Sequence, residues 1–273
     1  MKKISTLVLM ATLSAFSIGS YAASVSTSQE PQKYCPHCKM HNNAQNSQTN
    51  SQPTPQAEAA ENPLTGNFDL TTNYMFRGIS QSNNLPAVQG GLTYTFLTTG
   101  IYLNLWGSNV NFSDPQGNTA TVEFDTIAGI ANDIGDHFNY NISMARYNYP
   151  KSNASYNEFL ANAQWFFLTA QFGYSPNVYN LHAPGTYTNI GISYDIPPQC
   201  IGHLNNVNLK AGIGHYNLPN SVGLRSYNDY NIQLSKTFGN YVLSAQWTDT
   251  NFRSADAGPL KDSHFLGTVL VNF

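Results

Sequence analysis

Charge is scarce in this chain. Charged residues make up 10% of 273, where soluble domains carry about a quarter. A net charge of -3 leaves no basic surface for nucleic acid, which needs clustered Lys and Arg. Long apolar runs are missing too: beyond Ile18 nothing approaches the roughly 18 consecutive apolar residues of a spanning helix, so a membrane can be crossed only by strands. No phosphate loop, dinucleotide fingerprint or helical zinc-protease motif occurs, and the chain reads as a non-enzyme. Aromatics are plentiful instead, with 17 Tyr and 15 Phe. Low charge with many aromatics suits a barrel in lipid, where half of each strand faces hydrocarbon and aromatics gather at the headgroups. A mean hydropathy of -0.32 is no objection, since polar lumen and loop residues cancel the apolar faces.

Lys2 and Lys3 precede an apolar run from Ile4 to Ile18, followed by Ser20, Tyr21 and Ala22. This pattern predicts a secretory signal peptide over residues 1–22, cut after Ala22 or Ala23. Residues 23–62 then hold Cys35-Pro36-His37-Cys38 and a tract of Asn, Gln, Ser, Thr and Pro that cannot bury a core, a linker on the periplasmic side. The Cys pair carries three readings. With His37 and His41 it makes half of a zinc-ribbon-like metal site; it is a redox pair; or it is a disulfide formed in an oxidising compartment without dedicated chemistry. The third cysteine, Cys200, falls in a turn on the same side, so a bridge to Cys35 or Cys38 is topologically allowed, although pairing cannot be read from spacing. Beyond that metal option the sequence calls for no cofactor.

From residue 63 to 273 strand-length alternating segments recur. Residues 67–77 place Phe68, Leu70, Thr72, Tyr74 and Phe76 on one face. Ile101, Leu103 and Leu105 oppose Tyr102, Asn104 and Trp106; Val122, Phe124, Thr126, Ala128 and Ile130 oppose Glu123 and Asp125. Similar segments follow to the end, about twelve in all, with longer connections alternating with shorter ones; only residues 197–205, around Cys200, break the length order. The prediction is an all-β, antiparallel up-and-down transmembrane barrel of about twelve strands, with both ends periplasmic because the count is even.

The last strand sets Phe265, Gly267, Val269, Val271 and Phe273 on one face. A terminal Phe after alternating apolar positions resembles the final strand of bacterial outer-membrane barrels, which implies that Phe265, Val269, Val271 and Phe273 are read by the barrel-assembly machinery. A second resemblance starts at Asn73-Tyr74-Met75-Phe76-Arg77-Gly78-Ile79-Ser80-Gln81-Ser82 and continues at Pro86-Ala87-Val88-Gln89-Gly90-Gly91, Leu105-Trp106-Gly107-Ser108-Asn109, Glu123-Phe124-Asp125 and Arg146-Tyr147-Asn148-Tyr149-Pro150. The chain is similar here to the TorF family of porins, also catalogued as the Gcw_chp family of bacterial proteins of unknown function. That likeness implies an outer-membrane channel with no established substrate and does not extend to the Cys-bearing segment.

The same phase turns Asp69, Glu123, Asp125, Glu158, Asp195 and Asp229 inward against Arg77 and Lys210. Arg77, Glu123 and Glu158 fall near the outer ends of their strands, where they form either a constriction or a structural network that holds a narrow lumen together. Excess inward acid favours cations among the small polar solutes or ions that would pass. Two other functions are weighed: a structural or surface-binding barrel, and a lipid hydrolase at the rim built from His215, Ser226 and Asn228. No hydrolase motif surrounds that trio. The expected partners are outer-membrane lipid, the assembly machinery and the solute, with no nucleic acid.

Overall fold

The computed structural model describes residues 62–96, 99–114, 116–252 and 258–273. The signal peptide and Cys35, His37, Cys38 and His41 lie outside the described residues.

Twelve antiparallel strands close into one barrel. They are β1 (Leu64–Thr71), β4 (Ala87–Phe96), β5 (Ile101–Ser113), β6 (Thr119–Ile134), β7 (Phe138–Asn148), β8 (Tyr156–Trp165), β9 (Leu168–Ser175), β10 (Gly185–Ile196), β11 (Val207–Asn217), β12 (Tyr227–Phe238), β13 (Tyr241–Thr250) and β14 (His264–Asn272). Two further strands, β2 (Met75–Phe76) and β3 (Ile79–Ser80), form a separate hairpin. Each wall strand pairs with its neighbours in sequence, and β1 closes the wall on β14, with Phe68 opposite Val271. Beyond that pair the Gly66 and Phe273 backbones exchange hydrogen bonds of 2.8 and 3.0 Å, so the last residue still belongs to the seam. Closure removes the edges that an open sheet would expose.

Period-two alternation decides what faces out. Leu103 and Leu105 are 49% and 61% exposed, while Tyr102, Asn104 and Trp106, which alternate with them, are buried. Leu92, Phe124, Met144, Ile190, Ile213, Ile232 and Phe265 are exposed in the same way. An apolar band all round the outside is the inverse of a water-soluble fold. Six connections lie at one end of the barrel, here the loop end; the five at the other, the turn end, are shorter except for residues 197–206, where a 3-10 turn carries the exposed Cys200.

The first strand departs from the alternation reading. It ends at Thr71, and residues 72–86 leave the wall and fold into the barrel, so Tyr74 and Phe76 are 3% and 1% exposed rather than turned outward. The break comes at Arg77-Gly78, which turn with φ of 45° and 77° between the pairs Met75↔Ser80 and Phe76↔Ile79. Two successive positive φ values suit a two-residue hairpin; Gly78 adopts one freely, and Arg77 does so under strain.

Candidate functional site

The inward faces differ between the two halves of the barrel. Toward the turn end they carry half-buried Thr93, Asn162, Gln171, Ser193, Lys210, Gln233 and Gln246, a polar vestibule. Toward the loop end they are buried, many of them Tyr, and the infolded segment fills the space between them. Ile79, Gln81 and Ser82 are 0 to 1% exposed. Their contacts span the lumen: Asn111 of β5 donates its backbone N–H to Gln81 at 2.8 Å, and Tyr74 packs edge-on against Trp106 at 5.6 Å. On the far side a Cβ on Gly78 would lie 2.9 Å from Thr250 Cβ and 3.0 Å from Asp229 Cβ, so the hairpin tip is wedged against β12 and β13.

Arg77 stands at that tip. Its Nη2 donates to both carboxylate oxygens of Glu158 at 3.0 Å, with side-chain exposures of 2% and 0%. Tyr147 donates its hydroxyl to the same carboxylate at 3.2 Å. The guanidinium carbon lies 4.0 Å from the ring centre of Tyr187, 4.4 Å from Tyr216 and 4.5 Å from Phe76. Three aromatic faces and one carboxylate compensate this cation in part for leaving water, while its Nε and Nη1 carry no hydrogen bond among the described residues. Gly173 on β9 makes room for the pair: a Cβ there would sit 2.8 Å from Glu158 Oε1 and 3.0 Å from Arg77 Nη2.

The other acids occupy the same half. Glu123 accepts from Tyr149 at 2.8 Å, and Asp229 from Tyr187 at 3.2 Å. Asp125 is 1% exposed and stands beside Glu123, two residues away on one face of β6, close enough for the two carboxyl groups to interact. Lys210 stands apart: it faces Ser193 and Gln233 across the sheet in the vestibule, with Asp195 near. Arg77 thus reaches Glu158 from an infolded hairpin, not from the outer end of a wall strand.

Sequence reasoning passed over the inward tyrosines. Tyr147, Tyr156, Tyr187, Tyr216 and Tyr227 are all at most 3% exposed, and Tyr179 enters from residues 176–184 to bond Tyr216 hydroxyl to hydroxyl at 3.1 Å. The available signal was their parity, since each wall tyrosine of this group lies on the inward phase. Phe265, Val269 and Phe273 point outward, 84%, 46% and 65% exposed, and Val271 is half-buried in the same stripe. At the rim His215 bonds Asn228 at 2.7 Å, whereas the Ser226 hydroxyl donates to Asn217 and accepts from the Leu218 N–H. No hydrogen bond joins Ser226 to His215 among the described residues.

Solved structures similar to this one include a KdgM porin (TM-score 0.49, 9% identity, 77% of this chain and 98% of that chain). A NanC porin matches with a TM-score of 0.47 and 10% identity over 77% of this chain and 98% of that one. A chain from work on the mechanism of in-meso crystallization of membrane proteins matches at 0.52 and 8% identity, over 77% and 83%. No curated protein matches. Residues 56–267 match the family described as bacterial protein of unknown function (Gcw_chp), a span covering most of the chain, and the protein belongs to that family.

Proposed function

We propose that this protein is an outer-membrane channel of porin type that passes small polar solutes or ions through a lumen narrowed by its own infolded residues 72–86. The observation that carries the reading is a closed twelve-strand wall, apolar and exposed outside and polar within. A wall of this kind is stable in a bilayer because its strands satisfy their backbone groups on one another and closure leaves no edge. The TorF likeness of residues 73–82 carries the same expectation. Phe265, Val269, Val271 and Phe273 offer the assembly machinery a stripe ending at the seam, and the loop end faces out with both ends of the barrel periplasmic. The reading requires no cofactor; a metal at Cys35, His37, Cys38 and His41 would be a separate matter from passage.

The ions that reach the vestibule meet Asp69 and Asp195 against Lys210, which favours cations by a small margin. Glu123, Asp125, Glu158 and Asp229 lie buried in the loop half and add to that preference only where the infolded segment yields. Outer-membrane fractionation with heat-modifiable migration on gels, then single-channel recording in planar bilayers, tests the reading. A soluble monomer would sink it outright. A folded barrel that never conducts would favour the structural barrel, and reversal potentials under a salt gradient decide the ion preference.

A further inference from the structure

Among the described strands the charged residues on outward faces are Arg146 and Asp249 near the loop end and Lys236 near the turn end. Arg146 follows Ile142 and Met144, 42% and 51% exposed, on one stripe of β7, two residues before the strand ends. A base facing hydrocarbon at mid-depth costs about 2–4 kcal/mol, falling to about 0–1 near the interface, so this is a depth at which an arginine is tolerated and meets headgroups.

The arginine is also built into a cavity. A pocket of about 250 Å³ opens there, lined by Arg146, Asn157, Ser152, Asn153, Ser155 and Asn177 among others, one cation and no acid. Arg146 Nε donates to Asn148 at 3.1 Å and Nη1 to Asn157 at 3.4 Å, which props the guanidinium from both sides and leaves the Nη2 donors without a hydrogen bond among the described residues. Asn157 accepts through its carbonyl oxygen and Ser155 accepts from the Tyr149 N–H, and among the described residues the Asn157 amide N–H groups and the Ser155 hydroxyl proton carry no hydrogen bond. The nearby acid, Asp114, spends its oxygens on Gln116, Asn118, Ser152 and Asn153. The result is a set of donors from β7, β8 and the adjoining loops lining one pocket around one cation, with no acid among the described residues that line it.

We propose that this pocket binds a phosphoryl group, that of a lipid headgroup in the leaflet that meets the loop end. A guanidinium fork matches two phosphoryl oxygens, and the amide and hydroxyl donors suit the others. The inference rests on the outer-membrane reading, in which the outward face of β7 meets lipid.

The test uses the full mature chain folded in uncharged detergent micelles. The probes are a diphosphorylated glycolipid (lipid A), the same glycolipid dephosphorylated, and inorganic phosphate, followed by native mass spectrometry and titration calorimetry. The phosphorylated lipid should bind about tenfold or more tightly than its dephosphorylated form. Arg146→Gln should remove that preference, and Arg146→Lys should keep part of it. Inorganic phosphate binding as tightly as the lipid, and equally dependent on Arg146, would keep the phosphoryl site but overturn the lipid as its source. Equal binding of the two glycolipids, or an Arg146→Gln protein that still prefers the phosphorylated one, overturns the proposal. Heat-modifiable migration of each variant shows that its barrel has formed; a wild-type chain that is soluble refutes the membrane reading instead, so the two failures are distinct.

Discussion

Glu158→Gln keeps the shape of the buried acid and removes its charge, leaving the Arg77 guanidinium without its contacting carboxylate where its side chain is 2% exposed, with Asp229 as the remaining acid close enough to act on it. At that depth no screening discount applies, and breaking a buried pair costs about 3–5 kcal/mol. The three rings within 4.5 Å still attract the cation, and the Tyr147 hydroxyl can still donate to the amide oxygen, which puts the expected loss near the lower end, about 3 kcal/mol. The wall strands do not depend on this pair for their ladders, so the cost falls on docking of residues 72–86. At about 1.4 kcal/mol per tenfold, the undocked population should rise more than a hundredfold. Hydrogen exchange reads it directly, because the Gln81 amide bonds Tyr74 at 2.7 Å and the Asn111 amide bonds Gln81, and both exchange when the segment leaves. Single-channel records should show longer or more frequent open events. The double variant Arg77→Met with Glu158→Leu removes both charges and should be milder than the single one. Unchanged exchange at Gln81 and Asn111 in Glu158→Gln, or a double variant that is worse, would refute the reasoning.

Gly173→Ala places a methyl against the same pair and should undock the segment by about 1–3 kcal/mol, read by the same amides. Arg77→Asn accepts the positive φ more readily yet leaves Glu158 buried and unpaired; it should destabilise docking, and a gain in protection at Gln81 would show that relief of backbone strain dominates. Deleting Phe273 removes two backbone hydrogen bonds at the seam and should lower the heat-modifiable fraction in membranes while the conductance of assembled barrels is kept; normal membrane levels would contradict this. Asp114 ties residues 114–118 to residues 149–155, and although burial pushes its carboxyl up, hydrogen bonds from Asn153, Asn118 and Ser152 outweigh this and hold it below the usual range. A depressed carboxyl contributes stability that is present above its unfolded value of about 3.9 and lost as pH falls through the folded one. Protection of the Asn153 amide, measured against its intrinsic exchange rate at each pH, should therefore fall on acidification below about pH 4, and Asp114→Asn should flatten that dependence.

Alternation carried the wall. Ile101 to Trp106 or Val122 to Ile130 can satisfy period two in only one phase, because a slip of one residue would turn Glu123 and Asp125 toward lipid. The same rule misread residues 72–77, since Tyr74 and Phe76 continue the phase of Phe68 and Leu70 and nothing in periodicity says that the strand has stopped. What stops it is Arg77-Gly78 followed by the polar run from Ser80 to Asn84, a turn signal weaker than Asn-Gly. Likewise the pairing of Arg77 with Glu158 follows from inward charge near one end, but not from which of Glu123 and Glu158 is chosen. That choice depends on where the hairpin tip lands, a tertiary fact set by the space left at Gly173.

Strain and charge at Arg77 explain each other. A non-glycine residue with φ of 45° costs on the order of 1 kcal/mol or more, and Asn or Gly would make the local turn more cheaply. Arginine is useful there only if its side chain earns more than the backbone loses, and a two-oxygen contact to Glu158 inside three aromatic rings does. The hairpin is then pinned at its tip as well as along its short arms, which are joined by the pairs Met75↔Ser80 and Phe76↔Ile79 and by the Gln81 N–H to Tyr74 bond. With its tip pinned by the ion pair and its body by the Asn111–Gln81 bond and the Tyr74–Trp106 contact, the segment is loosened when that pair breaks, while the twelve-strand wall around it stays closed.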